Sequence, residues 1–166
     1  MKRICKTIAE IVALIAVIGG IVWFYQSVGF AETDVTEGYI LCSDFVYVRP
    51  YPNRKGEPVG RLEPGDKVYL DGKKKNGYLH IVDTGMELSE AWVHKGFVVY
   101  DEPTKENRTA VIVSKGRLAA RKYVNGRRTR WLKPLAELTV WYWSDEWALT
   151  NCGYVQTKYL ELGDGS

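Results

Sequence analysis

Beyond the N-terminal region, hydrophobic residues come in short runs, and none has the three-to-four-residue spacing of a long amphipathic helix. Val68 and Leu70 alternate with polar or aromatic neighbours, which is the period of a strand with one buried face and one face in water. Clusters rich in Gly, Pro, Asn and Asp separate the runs and favour tight turns. The pattern predicts an all-β fold with turns at PNRKG, EPGD, DGKKKNG, VNGRR, KPLA and SDE.

The first 31 residues have a different pattern, because three cations within the first six residues precede the uncharged, mostly apolar residues 11–25. A positive start followed by an apolar stretch is typical of an export sequence. We therefore expect the bulk of the chain to lie outside the cytoplasm.

Residues 1–31 have two interpretations, a cleaved signal peptide or a retained membrane anchor. For cleavage, Gly29 and Ala31 supply small residues at the −3 and −1 positions. As an anchor, residues 7–28 are just long enough to span a bilayer, with the aromatic residues 23–25 at its interface. The ending SVGFAETD favours cleavage and a secreted protein, but the transmembrane alternative stays open.

The second half of the sequence repeats the first in the same order. Four stretches have counterparts: VYVRPYPN (46–53) with LAARKYVN (118–125), RLEPGDKVYL (61–70) with WLKPLAELTV (131–140), AWV (91–93) with GYV (153–155), and KGFV (95–98) with TKYL (157–160). Because the order is kept and most length differences fall in turns, we predict a tandem of two β units of about 60 residues each.

The repeated motifs are YVRPYP at 47–52, GRLEPGDKV at 60–68 and WVHKGF at 92–97. In this order they resemble the bacterial SH3-like domain, whose pattern is x-V-R-x-x-P, then G-x-L-x-x-G-x-x-V, then W-V and an aromatic ending. The second copy departs from the pattern, because Ala120 replaces the valine, Leu135 the turn glycine and Tyr154 the tryptophan.

The resemblance implies an all-β chain of two small, partly open barrels in tandem, one over residues 38–101 and a divergent one over 109–162. Each barrel is expected to have about five strands. The residues expected to line the first core are Val48, Leu62, Val68, Leu70, Trp92 and Val93, and those of the second are Leu132, Leu138, Val140, Tyr154 and Val155.

The sequence indicates no catalytic site. Cys42 and Cys152 lie in no catalytic motif, and His80 and His94 are single histidines of the kind that is usually structural. Without a Cys/His cluster we expect no metal, and we expect no cofactor. The resemblance agrees, because catalysis in this family belongs to an attached peptidase or amidase domain. We interpret the chain as a binding protein rather than an enzyme.

Positive charge is concentrated in the second unit. Residues 38–103 hold nine Lys/Arg and ten Asp/Glu, whereas residues 108–162 hold ten Lys/Arg and four Asp/Glu. Four of the six tryptophans lie between Trp131 and Trp147. If Leu138 and Val140 face the core, strand alternation turns Trp141 and Trp143 outward. The position of Trp141 corresponds in the first unit to Asp71, which we expect to lie in solvent.

Two outward tryptophans beside a basic loop predict a recognition surface, with packing between the two units as the alternative for the tryptophans. The residues expected to bind ligand are Trp141, Trp143, Arg121, Arg127, Arg128 and Arg130. Arg121 has a second interpretation, because its counterpart Arg49 occupies the V-R position and is a candidate brace for the loop.

Two functions fit these features. The first is a cell-wall-binding protein that recognises peptidoglycan or an anionic envelope polymer, with aromatic faces on sugar or peptide and guanidiniums on phosphate or carboxylate. The second is a membrane-anchored ectodomain that binds a protein partner as a scaffold or sensor. Nucleic acid is excluded as a partner, because the expected compartment is wrong for it.

Overall fold

The computed structural model describes residues 35–82 and 91–163. These residues confirm the all-β prediction, since they form fourteen strands and two short 3-10 helices. The predicted signal peptide or anchor, residues 1–31, lies outside the described residues. Among the residues that the structure describes, no helix has the length and apolar character needed to cross a membrane.

The first half contains seven strands and one 3-10 helix. The strands are β1 (Thr36–Ile40), β2 (Val46–Val48), β3 (Gly60–Leu62), β4 (Lys67–Lys75), β5 (Tyr78–Val82), β6 (Ala91–His94) and β7 (Val98–Val99), with the helix at Lys95–Phe97 between β6 and β7. Strands β6-β5-β4-β1-β7 form an antiparallel sheet in that order, and β2 pairs with β3 in a separate hairpin.

The second half contains the same number of elements in the same order. The strands are β8 (Thr104–Ile112), β9 (Leu118–Arg121), β10 (Arg128–Leu132), β11 (Glu137–Trp143), β12 (Trp147–Thr150), β13 (Gly153–Gln156) and β14 (Leu160–Leu162), with a 3-10 helix at Thr157–Tyr159. They form one sheet in the order β10-β9-β13-β12-β11-β8-β14. Strand β8 begins at Thr104, between the two predicted units (38–101 and 109–162), because it pairs with β11 as far as Trp143.

Each pairing of the first half recurs in the second. The β1–β4, β1–β7, β4–β5 and β5–β6 ladders correspond to β8–β11, β8–β14, β11–β12 and β12–β13. The bridge between Arg49 and Trp92 corresponds to the pairing of Arg121 with Tyr154. The repeat in the sequence is therefore a repeat of strand order and hydrogen bonding.

The turn before the long strand is also the same in both halves, although its residues differ. Gly65 donates its backbone N–H to the Ile40 carbonyl at 2.8 Å, and Leu135 donates to the Ile112 carbonyl at 2.9 Å. Both residues have left-handed backbone, with φ of 90° at Gly65 and 60° at Leu135. Glycine adopts this conformation without steric cost, whereas leucine adopts it only with strain from its Cβ.

All eleven predicted core residues are buried. Nine of them pack into two hydrophobic clusters, one in each half. Trp92 and Tyr154 lie outside these two clusters. Trp92 lies against His80, with ring centroids 4.9 Å apart. The side chains alternate as predicted at the start of each long strand, since Val68 and Leu70, and likewise Leu138 and Val140, enter the cluster of their own half.

A third hydrophobic cluster joins the two halves. Its buried members are Leu41 and Val99 from the first half and Val124, Trp147, Leu149 and Tyr154 from the second. The Tyr154 hydroxyl donates a hydrogen bond to the Leu41 carbonyl at 2.7 Å. Burial raises the pKa of Tyr154, so this hydroxyl stays protonated as the donor. The two halves therefore share a packed contact.

Candidate functional site

The predicted ligand residue Arg121 braces its own loop. It is half-buried, and its Nη1 donates to the Gly126 carbonyl at 2.8 Å. Its counterpart Arg49 does the same, donating from Nη1 to the Gly56 carbonyl at 3.1 Å and to the Arg54 carbonyl at 3.3 Å. The alternative interpretation of Arg121 as a loop brace matches this geometry.

The other three predicted arginines are exposed on and beside β10. Arg128 lies over the ring of Trp131, with 4.3 Å from its guanidinium carbon to the ring centroid. The strand register shifts between Arg128 and Arg130, and this bulge puts Arg128 and Trp131 on the same outer face. Trp131 was absent from the predicted site, because a bulge cannot be read from strand alternation.

Trp141 and Trp143 do not point freely into solvent as strand alternation predicts, and their role as ligand residues stays a prediction. Strand β11 carries one residue more than β12 between Val140 and Tyr142, and this β-bulge reverses the alternation. Both tryptophans are half-buried. Trp143 pairs with Ala148 and packs against the core of the second half, and Trp141 packs against the cluster that joins the halves.

The prediction that Asp71 lies in solvent is also wrong. Its side chain is only 3% exposed, and its Oδ2 lies 2.9 Å from His80 Nδ1 and 2.9 Å from Lys73 Nζ. Burial raises the pKa of Asp71, but the hydrogen bonds from Lys73 and His80 outweigh burial, so the net shift is downward. Asp71 is therefore a charged partner that fixes His80 in the first half.

A groove with aromatic walls lies where the halves meet, and we call it the junction groove. Its volume is about 170 Å³. Its lining residues are Phe45, Val46, Tyr47, Arg49, Arg54, Tyr78, His94, Phe97 and Tyr123. Tyr123 is the contribution of the second half, and it lies in the loop after β9, two residues beyond Arg121. The groove thus depends on contact between the halves.

His94 is at the centre of the aromatic wall. Its ring centroid lies 5.3 Å from that of Tyr78, 5.7 Å from Phe97 and 4.9 Å from Tyr123. Its Nδ1 accepts the Gly96 N–H at 3.2 Å, which caps the first 3-10 helix. This bond leaves the proton of the neutral ring on Nε2.

The electrostatics of the groove keep His94 neutral. Loss of solvent lowers the pKa of His94 first, and the positive charges of Arg54 and Lys95 lower it further. Of the described residues that line the groove, none is Asp or Glu. Arg54 is exposed and its Nη2 lies 3.4 Å from the Tyr123 hydroxyl. The groove combines apolar ring faces with a cationic edge.

Arg61 lies on the outside of this wall and stacks on two of its rings. Its guanidinium carbon is 4.6 Å from the Phe45 centroid and 5.6 Å from the Tyr47 centroid. Phe45 and Tyr47 meet edge to face at 5.1 Å. This stacking holds the two rings in place and puts a further cation beside the groove, which Arg49 and Arg54 already line.

A larger cleft of about 470 Å³ also lies between the halves, and it has a different lining. Carboxylates from Asp101, Asp145 and Glu146 share it with Lys74 and Lys95. Mixed charge gives this cleft no preferred sign of ligand, so we regard the junction groove as the better candidate. Within residues 35–82 and 91–163, no three His, Cys, Asp or Glu side chains come together as a metal site.

Sequence reasoning missed the groove, although several of its lining residues belong to the repeated motifs. His94 was set aside as a structural histidine, and Tyr123 was matched to Tyr51 without a role. The rings come from β2 and the residue before it, β5, β6, the first 3-10 helix and the loop after β9, so only the folded chain brings them together. One available signal was the surplus of aromatic residues around the V-R motif of the first half.

No protein-family model matches the sequence, and no curated protein matches it. Among solved structures, the chain is similar to NlpC1 from Trichomonas vaginalis, with a TM-score of 0.35, 16% identity and coverage of 82% of this chain and 50% of that chain. For NlpC2 from the same organism the TM-score is 0.36 at 18% identity, with coverage of 82% and 52%. The chain spans about half the length of these two structures, and a likeness at these TM-scores carries no argument.

Proposed function

We propose that this chain is a non-catalytic binding protein built from two SH3-like barrels, over residues 38–101 and 109–162. The repeated strand order and pairings of the two halves support this architecture. So do the matching turns at Gly65 and Leu135. A binding role needs only a surface of fitting shape and charge, and the junction groove supplies one.

The ligand of the junction groove is a peptide of the cell wall, the stem or cross-bridge peptide of peptidoglycan. The observation that carries this proposal is the aromatic wall formed across the two halves by His94 and Tyr123, whose centroids are 4.9 Å apart. Ring faces bind the apolar side chains and backbone of a short peptide. A peptide carboxylate pairs with the guanidinium of Arg54 at the cationic edge.

The exposed arginines on and beside β10 support the same choice. Arg127, Arg128 and Arg130 are exposed cations, and a positive surface raises the local concentration of an anionic ligand. An anionic envelope polymer is the alternative ligand for this surface. In either case the affinity falls as salt rises, because exposed charges are screened beyond about 8 Å at physiological ionic strength.

Co-sedimentation with purified peptidoglycan tests the proposal. We expect the wild-type chain to pellet and Tyr123→Ala to stay in solution. Tyr51→Ala is the matched control, since Tyr51 is the counterpart of Tyr123 in the repeat and is 62% exposed outside the groove. Arg54→Ser is a second variant that removes the cationic edge from an exposed position, where the fold loses less than about 0.5 kcal/mol. Equal pelleting of wild type, Tyr123→Ala and Arg54→Ser would refute the groove.

The proposed localisation of the protein is outside the cytoplasm. It is either secreted or attached to the membrane. The pattern of residues 1–31 supports it. Mass spectrometry of the mature N-terminus decides between the two forms. A start at Glu32 means cleavage and secretion, whereas a start at Met1 means an anchor and favours the scaffold function.

A further inference from the structure

Leu135 is an exposed leucine in a backbone conformation that suits glycine. Its φ is 60° and its side chain is 77% exposed. The first half has Gly65 in the same hydrogen-bonded turn. A bulky side chain with positive φ is a rare outlier, and an exposed side chain gains nothing from packing in return. The fold therefore gives no reason for leucine at this position.

Two more exposed apolar residues lie near Leu135. The Leu135 N–H binds the Ile112 carbonyl at 2.9 Å, so Leu135 lies beside Val113, which is 47% exposed. Trp131 is 49% exposed on the outer face of β10. It precedes Leu132, the last residue of β10 that pairs with β9. One end of the second half thus exposes three apolar side chains.

Cations surround these apolar residues. Leu132 pairs with Leu118 at the end of the β9–β10 hairpin, so Lys133 and Arg117 lie side by side just beyond it. Lys115 is exposed in the same loop as Arg117. We call this surface the rim; its residues are Val113, Lys115, Arg117, Trp131, Lys133 and Leu135.

Charge at the rim is of one sign over a long stretch of chain. Residues 107–136 contain nine Lys and Arg and no Asp or Glu. The carboxylates on the adjoining strands are Glu137 at the start of β11, Glu161 on β14, which pairs with Val111, and Glu106 on β8, which is ion-paired with Arg108. Three carboxylates against nine cations leave the surface positive.

We propose that the rim docks on the surface of a lipid bilayer that carries anionic headgroups. The cations bind the headgroups, and Leu135, Val113 and Trp131 enter the interfacial layer. A soluble polyanion would use the cations and leave the apolar side chains in water. The bilayer accommodates both kinds of residue, which is why we assign it as the partner. This docking is independent of the junction groove and of the peptide proposed for it.

Hydrogen exchange of the full chain, read by mass spectrometry, tests the docking. The chain is mixed with vesicles of phosphatidylcholine alone or of phosphatidylcholine with phosphatidylglycerol. The cations Lys2, Arg3 and Lys6 before residues 7–28 also favour the anionic vesicles, so docking is read from protection of the rim peptides and not from binding of the whole chain. We expect peptides covering 111–118 and 131–137 to exchange about tenfold more slowly on the anionic vesicles if nine in ten chains are docked. Peptides covering the groove at 94–97 are expected to be unchanged.

Variants of the rim complete the test. Leu135→Gly should lose the protection while its melting temperature stays equal or rises, because glycine adopts this φ freely. Joint replacement of Lys115, Arg117 and Lys133 by Ser should also lose the protection. Tyr51→Ser, which lies outside the rim, is the control and should keep the protection. Equal exchange on both vesicles, or protection that survives in Leu135→Gly, would overturn the docking. Protection by soluble polyphosphate without lipid would assign the rim to a polyanion instead.

Discussion

Gly96 and Tyr123 approach each other so closely that a Cβ built on Gly96 would lie 2.5 Å from the Cβ of Tyr123. Beside this contact, the Val124 N–H donates to the Gly96 carbonyl at 2.9 Å. A backbone contact between the halves therefore holds Tyr123 against His94. Position 96 requires glycine, because a larger residue would clash with Tyr123.

Replacing Gly96 by alanine should weaken the fold. The added methyl group forces Tyr123 and the loop after β9 to move, and overpacking of this kind costs about 1–3 kcal/mol. Gly116→Ala is the control, since no atom lies within 4 Å of a Cβ built there and its φ is not left-handed. Urea unfolding of both variants measures the difference, and equal stabilities would contradict the close contact.

His94 should make stability depend on pH. Desolvation, followed by Arg54 and Lys95, lowers the pKa of His94 below its usual 6.5. As pH falls below the unfolded pKa, the unfolded chain binds a proton that the folded chain does not, so the free energy of unfolding decreases. His94→Gln, which copies Gln156 of the second half, should flatten this dependence between about pH 7.5 and about pH 5.5. Urea unfolding at both values checks it; an unchanged slope would exclude His94 as its source.

Arg121 and the β10 arginines should differ in their effect on stability. Arg121→Ala loses the half-buried bond to the Gly126 carbonyl and should destabilise by about 1 kcal/mol. Joint replacement of Arg127, Arg128 and Arg130 by Ser should cost less than about 0.5 kcal/mol for each exposed residue. Thermal melting compares the two; a triple variant destabilised by more than about 1.5 kcal/mol in total would mean that these arginines support the fold.

Trp141 should behave as a residue of the contact between the halves. It packs against the cluster that includes Leu41 and Trp147. Trp141→Ala should lower stability by about 2 kcal/mol or more, because a half-buried tryptophan leaves a cavity. Calorimetry measures this change. An unchanged melting point with lost peptidoglycan binding would restore Trp141 as a ligand residue.

Much of the fold can be predicted from the sequence, because strand alternation and the repeat are local signals. Val68 and Leu138 are buried where the two-residue period puts them. The register fails at the bulge between Val140 and Tyr142, where one extra residue turns Trp143 inward. No local signal marks such an insertion, since it depends on how β11 fits β12.

The candidate site is harder to predict than the fold. His94 and Tyr123 are 29 positions apart in the numbering and belong to different halves. Their contact depends on how the halves pack, which the repeat does not encode. Asp71 was misplaced for a related reason, since its partner His80 lies on the neighbouring strand β5.

A solution NMR titration with a soluble peptidoglycan stem tetrapeptide tests the junction groove as the binding site most directly. We expect saturable shifts at the backbone amides of His94, Gly96, Phe97, Tyr123 and Val124, with weaker binding by Arg54→Ser. Shifts confined to residues 127–131, or no shift at any peptide concentration, would contradict the junction groove as the binding site.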